Sequence, residues 1–128
     1  MMLLLDTHIL VWALLADPAL TVQARTLLTD PANTIFASSV SYCEVAIKRS
    51  LGRSGLACSA QDLAGYVSHC RIGVLDLRPA HVITLETLPW IHRDPFDRML
   101  IAQALTEPMR LVTHDKTVAR YSNTIITV

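Results

Sequence analysis

The sequence predicts an α/β fold in which a mainly parallel sheet is covered by helices on both faces. Two observations carry this expectation. Short runs such as "MLLL" (residues 2–5) and "TIFA" (residues 34–37) are apolar almost throughout, as strands buried on both faces are. Between such runs lie helical patterns, the crossovers that parallel pairing requires. With 128 residues, 52% of them hydrophobic and 17% charged, the chain is expected to form one domain over residues 1–128. A domain of that size buries roughly two-thirds of its unfolded surface, which excludes a disordered chain.

The elements follow in order. Residues 2–5 are the first strand, and residues 9–15 a helix broken by Asp17-Pro18. Residues 22–28 form a second helix, residues 34–37 a strand, and residues 40–51 a helix ended by Gly52, a residue that favours helix C-termini. Ser59-Ala60-Gln61-Asp62 opens a helix running towards Cys70, residues 73–77 are a strand, and Pro79 opens a helix through about Leu88. In "HRDPFDRMLIAQA" (residues 92–104), Asp94 caps and Pro95 starts a helix over residues 95–105, because Asp accepts free N–H groups and Pro fits the first turn. Residues 110–113 are a strand and residues 124–128 a last one.

No stretch is apolar for the ~20 residues of a membrane span. The N-terminal Met1-Met2-Leu3-Leu4-Leu5 meets Asp6 without a basic lead-in, so no signal peptide is expected and the cytoplasm is the expected location. Cys43, Cys58 and Cys70 are odd in number and widely spaced. They read as small buried hydrophobes rather than a disulfide or zinc framework. Eleven basic and eleven acidic residues balance, which argues against nonspecific coating of nucleic acid but not against local patches.

In a parallel α/β sheet the ligand crevice lies beyond the carboxyl ends of the strands, and four acids have addresses there. Asp6 ends the first strand and Asp115 follows a later one; Glu44 and Asp97 are expected in the first turns of helices that follow strands. Clustered carboxylates repel unless a cation is present. The chemistry that needs them is binding of Mg²⁺ or Mn²⁺, hard ions that take oxygen ligands and can support attack by water on a phosphodiester. The hydroxyls of Thr7 and Thr113 are placed to orient water around such an ion.

Each acid also has a plainer explanation. Ser41-Tyr42-Cys43-Glu44 fits a capping box, and Glu44 can pair with Lys48 four residues on. Asp97 suits the helix dipole, and Asp115 can cap the segment that follows it. Asp6, beside a buried strand, is costly unless paired or metal-bound. His8, His92 and His114 lie beside the acids, yet their spacing matches no standard zinc pair. Asp17, Asp30 and Asp62 sit where local capping suffices, and Asp76 lies in a strand candidate without a motif. Trp12 and Trp90 read as core or interface anchors rather than base-stacking platforms.

The stretches "LLLDTHILVWALL", "SSVSYCEVAIK", "HRDPFDRMLIAQA" and "LVTHDKTVARY" resemble the four acidic motifs of PIN-domain proteins, VapC-type toxins of bacterial toxin–antitoxin systems above all. The resemblance spans the whole chain. It implies a three-layer α/β/α PIN-like fold and a Mg²⁺- or Mn²⁺-dependent endoribonuclease acting on cellular RNA. Asp6, Glu44, Asp97 and Asp115 would be the acidic quartet, with Asp94 an accessory acid or cap. A homodimer and a cognate antitoxin are implied as well. Six basic residues lie near the motifs: Lys48, Arg49, Arg53, Arg93, Arg98 and Lys116. They are candidates to meet RNA phosphates, the alternative being ordinary surface ion pairs. Two other functional classes stay open, a catalytically silent RNA- or protein-binding module and a Mg-dependent phosphatase.

Overall fold

The computed structural model describes residues 1–52 and 56–128. Its elements, in order, are β1 (Met2–Leu5), α1 (Thr7–Leu15), α2 (Val22–Thr29), β2 (Thr34–Ser38), α3 (Ser39–Ser50) and α4 (Ala60–His69). They continue with β3 (Gly73–Leu75), α5 (Pro79–Thr87), α6 (Pro95–Thr106), β4 (Arg110–Thr113), α7 (Lys116–Ala119) and β5 (Ile126–Thr127). Among the described residues the strands form one sheet in the order β3-β2-β1-β4-β5, and each pairing is parallel.

The alternation of side chains along β1 shows how the layers are filled. Leu3 and Leu5 enter one core cluster, packed by α1, α2 and α4, with Ala37 and Val112. Leu4 points the other way, into a cluster with Leu100 and Ile101 of α6, Leu111, and Val118 of α7. This is the period-two geometry of a strand, and it makes the sheet the middle of three layers. The expected fold class is therefore the observed one, with a sheet that is parallel throughout.

Several boundaries move for local reasons. α1 begins at Thr7 rather than residue 9, because Asp6 caps it by accepting from the His8 N–H. β3 stops at Leu75, so Asp76 lies beyond it on an exposed stretch. α3 begins at Ser39 with Ser38 as its cap, one turn before the expected Ser41. The capping box expected of Ser41 and Glu44 is thus absent: Glu44 sits in the second turn. Asp17, Asp30 and Asp62 do act locally, accepting from the backbone N–H groups of Ala19, Ala32 and Ser59. Cys58 is buried as expected, but Cys43 and Cys70 are exposed.

Two buried polar contacts tie the helices that begin at the carboxyl edge of the sheet. Ser38 Oγ donates to Gln103 Oε1 of α6 at 2.5 Å and accepts the Val40 N–H at 3.0 Å. Thr7 and Ser41 share a hydroxyl–hydroxyl bond of 2.8 Å between α1 and α3. Ser38→Ala removes a cap worth about 1 kcal/mol and leaves the Gln103 carbonyl buried without its donor, at roughly 1–3 kcal/mol. The expected loss is about 2–4 kcal/mol, read from urea unfolding. A loss below about 0.5 kcal/mol would show that this tie does not hold α3 to α6.

Candidate functional site

Chain direction places the four acids at one edge. The carboxyl ends of β1, β2 and β4 and the starts of α1, α3, α6 and α7 lie together there, as parallel pairing demands. Asp6 and Asp115 are the caps of α1 and α7, and Asp97 is the third residue of α6, behind the Asp94 cap. Asp94 Oδ1 accepts the N–H groups of both Phe96 and Asp97. The cap is thus complete without the Asp97 side chain, which turns into a cleft of about 280 Å³ shared with Asp6 and Asp115.

Glu44 lies deeper than the cleft lining. It is 2% exposed; its Oε2 receives Lys48 Nζ at 2.5 Å, and its Oε1 is buried with no hydrogen-bond partner. A buried acceptor left unpaired is costly, and a cation is the partner a carboxylate oxygen takes.

The electrostatics report the crowding. Burial, then the charges of Asp6, Asp94, Glu44 and Asp115, push the Asp97 carboxyl up from 3.8 to about 8. Burial likewise raises Asp6, against a lowering hydrogen bond from Thr113. Asp115 goes the other way: partial burial raises it, but the Thr117 N–H and His92 outweigh that and hold it below the usual carboxylate range. Lys48 is raised, because its bond to Glu44 and the charges of Glu44, Asp94 and Asp97 outweigh burial. Asp6, Glu44 and Asp115 therefore all act on Asp97, which sits at the centre of the repulsion.

His92 is a site residue that sequence reasoning weighed only as a zinc ligand and set aside. Its Nδ1 accepts the Asp94 N–H at 3.0 Å, so the neutral ring carries its proton on Nε2. Nε2 lies 3.1 Å from Asp115 Oδ2 and 3.3 Å from Asp97 Oδ2. His92, Asp97 and Asp115 offer ligand atoms all within 4.8 Å of one another. The bridge to Asp115 crosses 23 residues of chain, and the only signal was adjacency to the DPFD stretch.

The accessory residues are placed differently from expectation. Thr7 is fully buried and occupied by Ser41, so it holds α1 to α3 rather than facing cleft water. Thr113 Oγ1 donates to Asp6 Oδ2 at 2.6 Å and accepts the Asp115 N–H at 3.0 Å; it orients two acids directly.

The basic candidates divide. Arg98 is 4% exposed. Its guanidinium donates to the carbonyls of Leu88 and Pro89 and to Tyr121 Oη, and lies 3.9 Å over the Trp90 ring. Its donors are used inside the protein, which overturns the expectation that it meets phosphate; it fastens the segment leading into α6. Arg49 is exposed but lies about 140° round α3 from Glu44, five residues on at 3.6 per turn. Arg93 and Lys116 are exposed beside the acidic motifs, Lys48 is paired with Glu44, and Arg53 lies outside the described residues.

A larger cavity, of about 650 Å³, lies among α1, α2 and α4, lined by residues such as Leu20, Leu28, Tyr66 and Ile72. It contains none of the four acids, so chemistry rather than size selects the smaller cleft. No described helix is long and apolar enough to cross a membrane.

Comparisons with known proteins agree with this geometry. A family model described as PIN domain matches residues 3–123. The fold is similar to VapBC2 from Rickettsia felis bound to a DNA fragment from its promoter, with a TM-score of 0.71, 22% identity, and 100% of this chain and 98% of that one covered. VapBC-1 from nontypeable Haemophilus influenzae gives a TM-score of 0.66 at 17% identity, covering 100% and 97%. DNA-bound VapBC from Salmonella typhimurium gives 0.65 at 18%, covering 100% and 97%. No curated protein sequence matches the chain.

The raised Asp97 carboxyl has a consequence for stability. In EDTA the folded protein keeps a proton, up to about pH 8, that the unfolded chain releases above about pH 4. Stability therefore falls as pH rises through that window, by at most about 1.4 kcal/mol per unit from this group. His81, whose carboxyl-facing ring is held below its usual range by burial and Arg78, contributes the opposite slope only below about pH 6.5. Between about pH 6.5 and 8 the melting temperature in EDTA should fall, and Asp97→Asn should flatten the dependence. Equal slopes in the two proteins would contradict the placement of Asp97.

Proposed function

The chain belongs to the PIN-domain family, and from that premise we propose that it is a Mg²⁺- or Mn²⁺-dependent endoribonuclease, the toxin of a toxin–antitoxin pair. The observation that carries the reading is the convergence of Asp6, Glu44 and half-exposed Asp115 on Asp97, with Asp6 and Glu44 buried. It includes a carboxylate raised to about 8 and a buried oxygen without a partner, which suits a hard divalent cation and little else.

In this reading Asp6 and Asp97 are direct ligands, and Glu44 and Asp115 ligate directly or through water. A divalent ion held by these groups supplies charge that eases ionisation of water and stabilises negative charge on the phosphate oxygens. The protein's own part is positional. Thr113 aims Asp6, the Thr117 N–H and His92 aim Asp115, and Asp94 seats the helix that presents Asp97. Water adds in line to phosphorus as the bond to the 3′ oxygen breaks. Exposed Arg93 and Lys116 are placed to meet phosphates flanking the cut.

Partners follow the same reading. The similar structures are VapBC assemblies, which supports a cognate antitoxin as the binding partner here. Val82 and Ile83 of α5 and Trp90 after it are 48%, 66% and 80% exposed, an apolar surface suited to the homodimer that the resemblance implies.

Asp6→Asn and Asp97→Asn should each lower RNA cleavage at least a hundredfold while leaving the far-UV circular dichroism unchanged. Wild-type rates in either would overturn the assignment, and metal-independent RNA binding without products would favour a silent module. Sequencing RNA ends after brief induction, with Asp97→Asn as control, identifies the substrate. Because the ion binds only the folded site, Mn²⁺ should raise the melting temperature of the wild type. The same rise in Asp6→Asn, or none in the wild type, would count against this site.

A further inference from the structure

The acidic cleft has a second wall. Besides Asp6, Asp97 and Asp115, it is lined by His8, Trp12 and His114. The Trp12 ring centre lies 5.8 Å from that of His8 at 57°, and 5.6 Å from that of His114, nearly edge-on at 71°. These are ordinary separations for interacting aromatic rings, and neither imidazole lies parallel on the indole. His8 and Trp12 are four residues apart on α1 and so share a face. His114 Nδ1 donates to the Val128 carbonyl at 2.5 Å, which fixes its ring. One side of Trp12 packs against the core; its remaining surface lines the cleft.

Packing alone does not call for an indole beside three carboxylates, which water would solvate better. A ligand that uses both walls must carry an anionic group that a cation can bridge to the acids, and next to it a flat π-surface. A nucleotide unit of a nucleic acid has both. We propose that Trp12, held between His8 and His114, stacks the base of a nucleotide adjoining the scissile phosphate. A base inside a duplex is already stacked on its neighbours, whereas splayed bases of single strands are recognised on aromatic rings. This replaces the plainer expectation of Trp12 as only a core or interface anchor. It rests on the endoribonuclease reading and adds the residue that holds a base beside the cut.

The test compares wild type, Trp12→Phe and Trp12→Ala on a single-stranded RNA oligonucleotide carrying the cut site found by end-sequencing. The same oligonucleotide is also made with an abasic unit on either side of the cut. Stacking on an aromatic ring is worth about 1–3 kcal/mol per base, or roughly fivefold to a hundredfold. Trp12→Ala should raise KM by that factor with a smaller change in kcat, and Trp12→Phe should stay within a few-fold of wild type. One abasic substrate should raise KM for the wild type but not further for Trp12→Ala, and pairing the cut site into a duplex should suppress cleavage. Unchanged KM in Trp12→Ala, or wild-type indifference to both abasic units, overturns the stacking while leaving the nuclease intact. Should Trp12→Ala fail to fold, the abasic arms on the wild type decide. A wild type that cuts no RNA at all overturns both readings.

Discussion

The structure is governed by the need to hold four carboxylates at one sheet edge with little fixed positive charge beside them. Parallel strands joined by helical crossovers bring strand ends and helix starts to the same edge, so the topology that gathers the acids also supplies backbone N–H groups for them. Asp6, Asp94 and Asp115 are each helix caps. A helix N-terminus stabilises a nearby anion by about 1 kcal/mol. Two full charges 5 Å apart at an effective dielectric of about 20 repel by roughly 3 kcal/mol. Capping thus falls short of the repulsion, and the shortfall adds to the larger effect of burial at Asp97, whose side chain has no cap to make. Lys48 offsets part of it from below, but it reaches only one oxygen of Glu44.

Helix α6 turns this constraint into a fixed geometry. Asp94 caps it, Asp97 faces the cleft, Arg98 grips the carbonyls of Leu88 and Pro89, and Gln103 accepts from Ser38 at the start of α3. Consecutive helical residues point about 100° apart, so Asp97 and Arg98 serve different sides of the helix. The segment that Arg98 grips leads into His92, whose ring spans Asp97 and Asp115. The buried guanidinium is therefore part of how the site is built, although it meets no substrate.

The order and type of elements were legible because buried strands and amphipathic helices write distinct patterns into the chain. Asp6 was legible for a stronger reason: an acid next to "MLLL" has no cheap structural excuse. Asp94 and Asp97 could not be separated from sequence, since an acid three positions into a helix serves a dipole or a cleft equally well; the two N–H groups on Asp94 Oδ1 separate them. Glu44 was placed at the right edge of the sheet but in the wrong turn of its helix. Ser38, Ser39 and Ser41 can all cap, and only the strand that ends at Ser38 decides among them. Arg98 was misread because charge in a list looks exposed, and its acceptors are backbone carbonyls that carry no sequence signal. His92 was set aside because it was weighed only as a zinc ligand, and its partner Asp115, 23 residues on, carries no spacing signal.

The two walls of the cleft divide the work in a way the chemistry requires. Carboxylates acting on phosphate are blind to the bases, since every nucleotide presents the same phosphodiester. On the proposed nuclease reading, direct recognition of a base needs a surface that touches it, and within this cleft the candidates are His8, Trp12 and His114. Asp6 and Trp12 belong to one rigid element, the first as the cap of α1 and the second within it. Thr7, Ile9, Leu10 and Val11 are buried between them, so Asp6 and Trp12 keep a fixed relation to one another. If the proposed stacking holds, a base seated on the indole is held at a set distance from Asp6, and binding that nucleotide also places its phosphate near the acids.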